Sequence, residues 1–214
     1  MIYGYGEDSL TLSWLQGVGA HFEGEKVILK IYRPSLGRRH GFGEPDFLIV
    51  TLGKEGCSLW VGESKWPLMA KRGEGRRITP GCLKLGNPFG KRRKGIGILV
   101  DLLREAARAE VNCKLPSLMP DSEKTLLKRN LLTIEKMIRN QMSNSSKSQF
   151  HSKYVLLIFR HRDNIWDERC RTEIQGVVQK KLGNPLVALE RIVVKEDVSD
   201  KYFDADTNNF VAIP

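Results

Sequence analysis

The chain has little covalent or lipid support to draw on. Its 214 residues include four cysteines, Cys57, Cys82, Cys113 and Cys170, none in a CxxC pair and none at a common zinc spacing. Neither a disulfide framework nor a structural zinc is expected. No apolar stretch approaches the roughly 20 residues that cross a bilayer, which argues against a membrane span. The opening residues, Met1-Ile-Tyr-Gly-Tyr-Gly-Glu, carry no basic region followed by an apolar run, so no signal peptide is visible. The histidines, His21, His40, His151 and His161, are scattered without ligand spacing. There is no internal repeat. The expectation is a soluble, cytoplasmic protein with reduced thiols. A chain of this length buries roughly 70% of the surface that its unfolded form exposes, so a core can form without staples.

What the sequence has in excess is positive charge. Thirty-five Lys and Arg against 25 Asp and Glu give +10, a balance that favours polyanionic partners, nucleic acid first among them. Hydrophobic residues at 41% and charged residues at 28% are globular values. A first helix is predicted over 7–16, with Glu7, Leu10 and Trp14 on one face and Gly17 and Gly19 as a stop. Three strands follow: Lys26–Arg33, Pro45–Leu52 and Cys57–Trp66, the last two joined by a turn at Gly53-Lys54-Glu55-Gly56. Residues 67–95, rich in Gly, Pro and Arg, read as a long loop that a ligand orders.

Helices are predicted over 97–112, with Leu99, Leu102, Leu103, Ala106 and Ala107 inward, and over 121–142, with Leu127, Leu131, Ile134 and Ile138 inward. A polar loop at 143–148 precedes a buried strand, Tyr154–Arg160. Then come a helix, Asp167–Leu182, and a strand, Glu190–Val198, while the residues from Ser199 carry no clear pattern. This order of elements indicates an α/β chain with a mixed sheet flanked by helices.

The chemistry concentrates at Pro45-Asp46, heading one strand, and Glu63-Ser64-Lys65 on the next. Alternation places Glu63 and Lys65 on one face and turns Ser64 away, toward packing. Pairing about the 53–56 turn brings Asp46 close to Glu63. Two converging carboxylates make a hard oxygen site suited to Mg²⁺ or Mn²⁺. Phosphodiester cleavage needs an activated water and stabilisation of charge growing on the phosphate. Lys65 can orient or deprotonate the water, or stabilise that charge; the residues alone leave these roles open.

This arrangement, PD at 45–46, sixteen intervening residues and ESK at 63–65, resembles the PD-(D/E)XK nuclease superfamily, in particular archaeal Holliday junction resolvases and related archaeal viral nucleases. The resemblance covers residues 5–66 and continues beyond them only in the order of elements. It implies a restriction-endonuclease-like core forming a single domain over 1–214, with a basic loop insertion at about 67–95 and helical additions at about 97–142. It also implies an acid from the first helix, in a pattern E-x-x-L-x-x-x-L that Glu7, Leu10 and Trp14 match with Trp in the last place. Glu7 would then join Asp46 and Glu63 around the metal, with Asp8 its rival should the helix phase be off by one residue. The implied activity is Mg²⁺-dependent hydrolysis of DNA, on branched or structured substrates, by a homodimer located in the host cytoplasm if the chain is viral.

Three basic clusters flank the motif: Arg38-Arg39-His40, Lys71-Arg72 with Arg76-Arg77, and Lys91-Arg92-Arg93-Lys94. They are expected to contact phosphates, which positions a substrate without reading its bases. Trp60 and Trp66 are expected in the core or at an interface. The apolar stripe of 121–142 suits either a core face or a dimer interface. Two rivals stand beside a DNA nuclease: a non-catalytic DNA-binding protein with a nuclease-like fold, and a nuclease directed at RNA.

Overall fold

The computed structural model describes residues 7–34, 45–54, 56–67, 76–85, 150–160, 163–182 and 188–196, the backbone at 3–4, 201–204 and 209–212, and helical positions 129, 133, 134, 136–138 and 140. The predicted helix over 97–112, most of that over 121–142 and the 143–148 loop lie outside these residues.

The elements in chain order are β1 (Tyr3–Gly4), α1 (Glu7–Gly17), β2 (His21–Phe22), β3 (Glu25–Tyr32), β4 (Phe47–Leu52), β5 (Cys57–Lys65), β6 (Phe150–Arg160), α2 (Glu168–Leu182), β7 (Ala188–Glu196), β8 (Lys201–Asp204) and β9 (Asn209–Ala212). Six strands form one mixed sheet in the order β2-β3-β4-β5-β6-β7. From β2 to β5 neighbours are antiparallel; β5, β6 and β7 are parallel. Short turns join β2 to β3 and β4 to β5. Glu23 and Gly24 both take positive φ, 50° and 79°, as the two-residue hairpin between β2 and β3 requires. The Gly53 N–H donates to Gly56 O at 2.8 Å, closing the turn expected at 53–56.

The near-continuous apolar run in β4 is explained by cover on both faces. Phe47 and Ile49 join Leu10 and Leu15 of α1, Trp60, Val155, Leu157 and Phe159 in one core cluster. Leu48 and Val50 turn the other way. They meet Leu59, Val61, Leu156 and Ile158, under Ile174, Val178 and Leu182 of α2 and the helical residues Ile134 and Ile138. Each helix has an identifiable terminus. Asp167 Oδ1 accepts from the Cys170 N–H at 2.9 Å, so Asp167 caps α2 and does not open it as a helical residue. Lys30 Nζ donates to Gln16 O and Val18 O at 3.3 and 2.9 Å, placing a cation on the negative end of α1.

The structure departs from the sequence reading once and goes beyond it twice. Residues 76–85 are not merely a loop awaiting a ligand: Ile78, Cys82, Leu83 and Leu85 are buried in the α2-side core. Main-chain bonds Ile165 N–H to Arg76 O, 3.0 Å, and Ile78 N–H to Ile165 O, 3.1 Å, tie this segment to the residues preceding α2. The residues from Ser199 contain two strands, and β1, β8 and β9 build a second, three-stranded sheet. Third, the large sheet is curled: Arg191 of β7 reaches Glu23 of the β2–β3 turn at 3.2 Å although β2 and β7 are its outermost strands. Among the described residues, no helix is long and apolar enough to cross a membrane.

Candidate active site at the ends of β4 and β5

The β4–β5 ladder stops at Phe47 opposite Gly62, and Asp46 is the first residue outside it. Three bonds hold Asp46. Its N–H donates to Gly62 O at 2.9 Å, its O accepts from the Arg33 N–H at 2.8 Å, and its Oδ2 accepts from the Ser64 N–H at 2.7 Å. The bonds to residues 62 and 64 bracket Glu63, so Asp46 is fastened beside it, as the spacing about the turn predicts. Gly62 permits this approach. A Cβ there would lie 2.0 Å from Phe47 Cζ, because the far edge of the Phe47 ring fills the space beside the bare glycine backbone. A glycine inside a strand signals such an approach, yet nothing in the sequence says which ring fills the space.

Glu63 and Lys65 leave β5 on one face, as alternation requires. Glu63 is only 1% exposed, and Lys65 Nζ lies 2.5 Å from its Oε1, with the lysine side chain 18% exposed. Lys65 Nζ also donates to Ser64 O at 2.9 Å. A carboxylate taken this far from water needs a paired cation, and the ammonium beside it supplies one. Ser64 is fully buried, and its Oγ has no hydrogen-bond partner among the described residues. Its backbone, which the sequence analysis did not single out, is the donor that holds Asp46.

Glu7 arrives from α1. Its Oε2 accepts from the Trp66 N–H, 2.7 Å, one residue beyond Lys65. Burial raises its pKa above the ordinary carboxylate value; Lys65 and the Trp66 N–H oppose that shift, while Asp46 and Asp8 add to it. Asp46 and Lys65 are therefore within electrostatic reach of Glu7. Asp8 goes elsewhere: 59% exposed, it pairs with Arg33 at 2.9 Å. The structure thus resolves the helix phase that the sequence left open, with Glu7 inward and Asp8 outward.

Four ionisable side chains from α1, the head of β4 and the end of β5 are brought together in this way. Compared with protein-family models, curated proteins and solved structures, the chain matches none.

The other candidate residues are placed less uniformly. Arg38, Arg39, Lys71, Arg72, Lys91, Arg92, Arg93 and Lys94 lie outside the described residues, as does His40. Arg76 is exposed, whereas the Arg77 guanidinium is engaged by Asp167, which caps α2. Trp60 is buried in the core and Trp66 packs against it, as expected. Among the described residues, no group of three or more His, Cys, Asp or Glu side chains is placed to hold a metal ion. An open site for a hard divalent ion asks for less, one or two carboxylates with water and substrate completing the shell. Glu7, Asp46 and Glu63 are hard oxygen donors, with Lys65 paired to Glu63 and within electrostatic reach of Glu7. The donor set fits Mg²⁺ or Mn²⁺.

Proposed function

We propose that the chain is a metal-dependent nuclease that hydrolyses DNA phosphodiester bonds, built on a restriction-endonuclease-like core. The observation that supports this best is the joining of Asp46 to the strand carrying Glu63 and Lys65, through the Ser64 N–H, with Glu7 joined to the same strand end through Trp66. The surplus of positive charge, +10, favours a polyanionic substrate.

Asp46, Glu63 and Glu7 would hold the Mg²⁺ or Mn²⁺ ion. Such an ion, when bound, lowers the pKa of its water and polarises a phosphate oxygen. The protein side of the reaction follows from the contacts. Backbone N–H groups fix one oxygen of Asp46 and one of Glu7, so both carboxylates are oriented before substrate arrives, and neither loses rotamer freedom in the reaction. Lys65 holds its protons between Glu63 Oε1 and Ser64 O. From there it would offer a donor and a positive charge to the phosphate oxygens as charge grows on them. Activity as a homodimer on branched or structured DNA belongs to the same proposal.

The test is cleavage of duplex, single-stranded and four-way-junction DNA and of RNA, in Mg²⁺, Mn²⁺ and EDTA, with wild type, Asp46→Asn, Glu63→Ala and Lys65→Ala. Metal-dependent cleavage of DNA by wild type, lost in all three variants, is expected. Binding without cleavage under every condition would replace the enzyme with a DNA-binding protein. Cleavage of RNA alone would redirect the substrate, and full activity in Asp46→Asn and Lys65→Ala would refute the site.

A further inference from the structure

The four site side chains are not held by one scaffold. Asp46, Glu63 and Lys65 stand on paired strands of the large sheet, but Glu7 belongs to the first turn of α1. Leu10 and Leu15 anchor the later part of that helix in the core. A helix's first turn is where unpaired N–H groups fray, and the Asp8–Arg33 ion pair that ties this turn to the end of β3 is largely exposed and therefore weak. A further tie comes from the other side of the turn.

Two residues separate Glu7 from β1, and β1 is not part of the large sheet. Tyr3 pairs with Asp204 and Gly4 with Phe203 of β8. β8 continues into an antiparallel ladder with β9, from Lys201 opposite Ala212 to Asp204 opposite Asn209. β8 also lies against α1. A two-residue strand has no stability of its own, so the place of β1 is set by β8. The linker cannot exceed about 11 Å from the Cα of Gly4 to that of Glu7, which limits how far the first turn can move while β1 stays paired.

We infer that β8 and β9 form a clasp that, through β1, holds the first turn of α1 and with it Glu7 against the strand end carrying Asp46, Glu63 and Lys65. Residues almost two hundred positions from Glu7 in the chain are thus positioning elements of the active site. The catalytic meaning rests on Glu7 belonging to that site; the mechanical part does not.

Two amides report the mechanical part. The Trp66 N–H is bonded to Glu7 and the Ser64 N–H to Asp46, two residues apart on the same chain segment. Phe203→Pro in the full chain removes a ladder donor from the middle strand of the small sheet. Hydrogen exchange at Trp66 is expected to accelerate roughly tenfold while Ser64 keeps its protection. Equal acceleration at both amides, or at neither, overturns the clasp. Asp204→Pro, whose N–H points to the other side of the strand, is expected to give the same pattern and serves if the first variant does not fold. In cleavage assays, Phe203→Pro should slow wild type but cause no further loss in Glu7→Gln. Losses that multiply would show that the clasp does not act through Glu7. Release of Trp66 with unchanged cleavage would leave the clasp standing and remove Glu7 from the active site.

Discussion

Replacing Gly62 by alanine tests how the site is assembled more sharply than removing a charged group, because alanine adds a single methyl. That methyl would lie 2.0, 2.1 and 2.4 Å from Cζ, Cε2 and Cε1 of Phe47. Carbon atoms in contact stand about 3.5–4.0 Å apart, so the ring must retreat by roughly 1.5 Å. It has nowhere to go. Phe47 is 0% exposed, and the Trp14 ring lies behind it at 5.0 Å between centroids, itself against Phe22 at 6.1 Å. Overpacking of this kind costs about 1–3 kcal/mol, and a ring wedged on two sides belongs at the upper end.

The damage should reach function as well. Phe47 is bonded to Asp46, and the Asp46 N–H donates to Gly62 itself, so a shift of about 1 Å at the carboxylate is expected, enough for roughly a hundredfold loss of rate. Urea unfolding of Gly62→Ala, Phe47→Ala and the double variant closes the cycle. Phe47→Ala alone should cost about 3–5 kcal/mol. The double variant should be no less stable than Phe47→Ala, since the methyl then enters the space the ring has left, giving a coupling of roughly 1–3 kcal/mol. Additive single effects would mean that the ring does not lie over Gly62.

The remaining expectations concern other parts of the molecule. Mg²⁺ should raise the Tm of wild type, by the equivalent of about 2.7 kcal/mol at a hundred times its Kd, and leave the Tm of Asp46→Asn unmoved; equal shifts in both would place the ion elsewhere. Although burial pushes the Glu25 carboxyl upward, hydrogen bonds from Thr51, Ser58 and Lys153 outweigh it and hold the pKa below the ordinary 4.5. A depressed folded value means stability that is present above the unfolded pKa and lost as pH falls through the folded one. Wild type should therefore lose stability on acidification below about pH 4.5 more steeply than Glu25→Gln, and parallel profiles would contradict the network. The Cys57 thiol is pushed up to about 11, by burial and then by the charge of Glu25. It should resist maleimide at pH 8 in the folded chain and react on unfolding, whereas rapid labelling of folded protein at Cys57 would refute its burial.

The legible parts of this chain were those in which local pattern and tertiary demand coincide. The run from Pro45 to Leu52, the turn at 53–56 and the alternation through Glu63 and Lys65 define a hairpin without knowledge of anything outside it. Glu7 and Asp8 could not be separated, because adjacent residues in a first helical turn differ by about 100° and either can face a sheet. What decides between them is Arg33, twenty-five residues away, which takes Asp8 outward. Residues 76–85 were hidden by composition. Among Gly, Pro and Arg, the apolar Ile78, Leu83 and Leu85 show no period, and their burial depends on main-chain bonds to Ile165. β8 and β9 are four residues each, too short to show a period, and although they pair with each other locally, the strand β1 that completes their sheet lies at the other end of the chain.

The two ends of the large sheet differ in a way that bears on function. At the end formed by the start of β3, the end of β4 and the starts of β5 and β6, a polar network is closed. Glu25 accepts from Thr51, Ser58 and Lys153, Thr51 accepts from Trp60, and the Lys153 ammonium lies 4.6 Å from the centre of the Trp60 ring. Each charge has several partners, which together outweigh the cost of burying Glu25. At the other end, a glutamate 1% exposed is buried beside a lysine, a serine hydroxyl is buried with no partner among the described residues, and a second glutamate is held where burial disfavours its charge. Apolar residues of similar volume in place of the Glu63–Lys65 pair would leave the fold no less stable, since desolvation of a buried ion pair commonly cancels its attraction. Stability therefore does not account for this chemistry. Costs gathered around one strand end, from residues 63–65 and from Glu7 of α1, beside an aspartate pinned by a backbone N–H, are expected where charged groups are kept for a reaction.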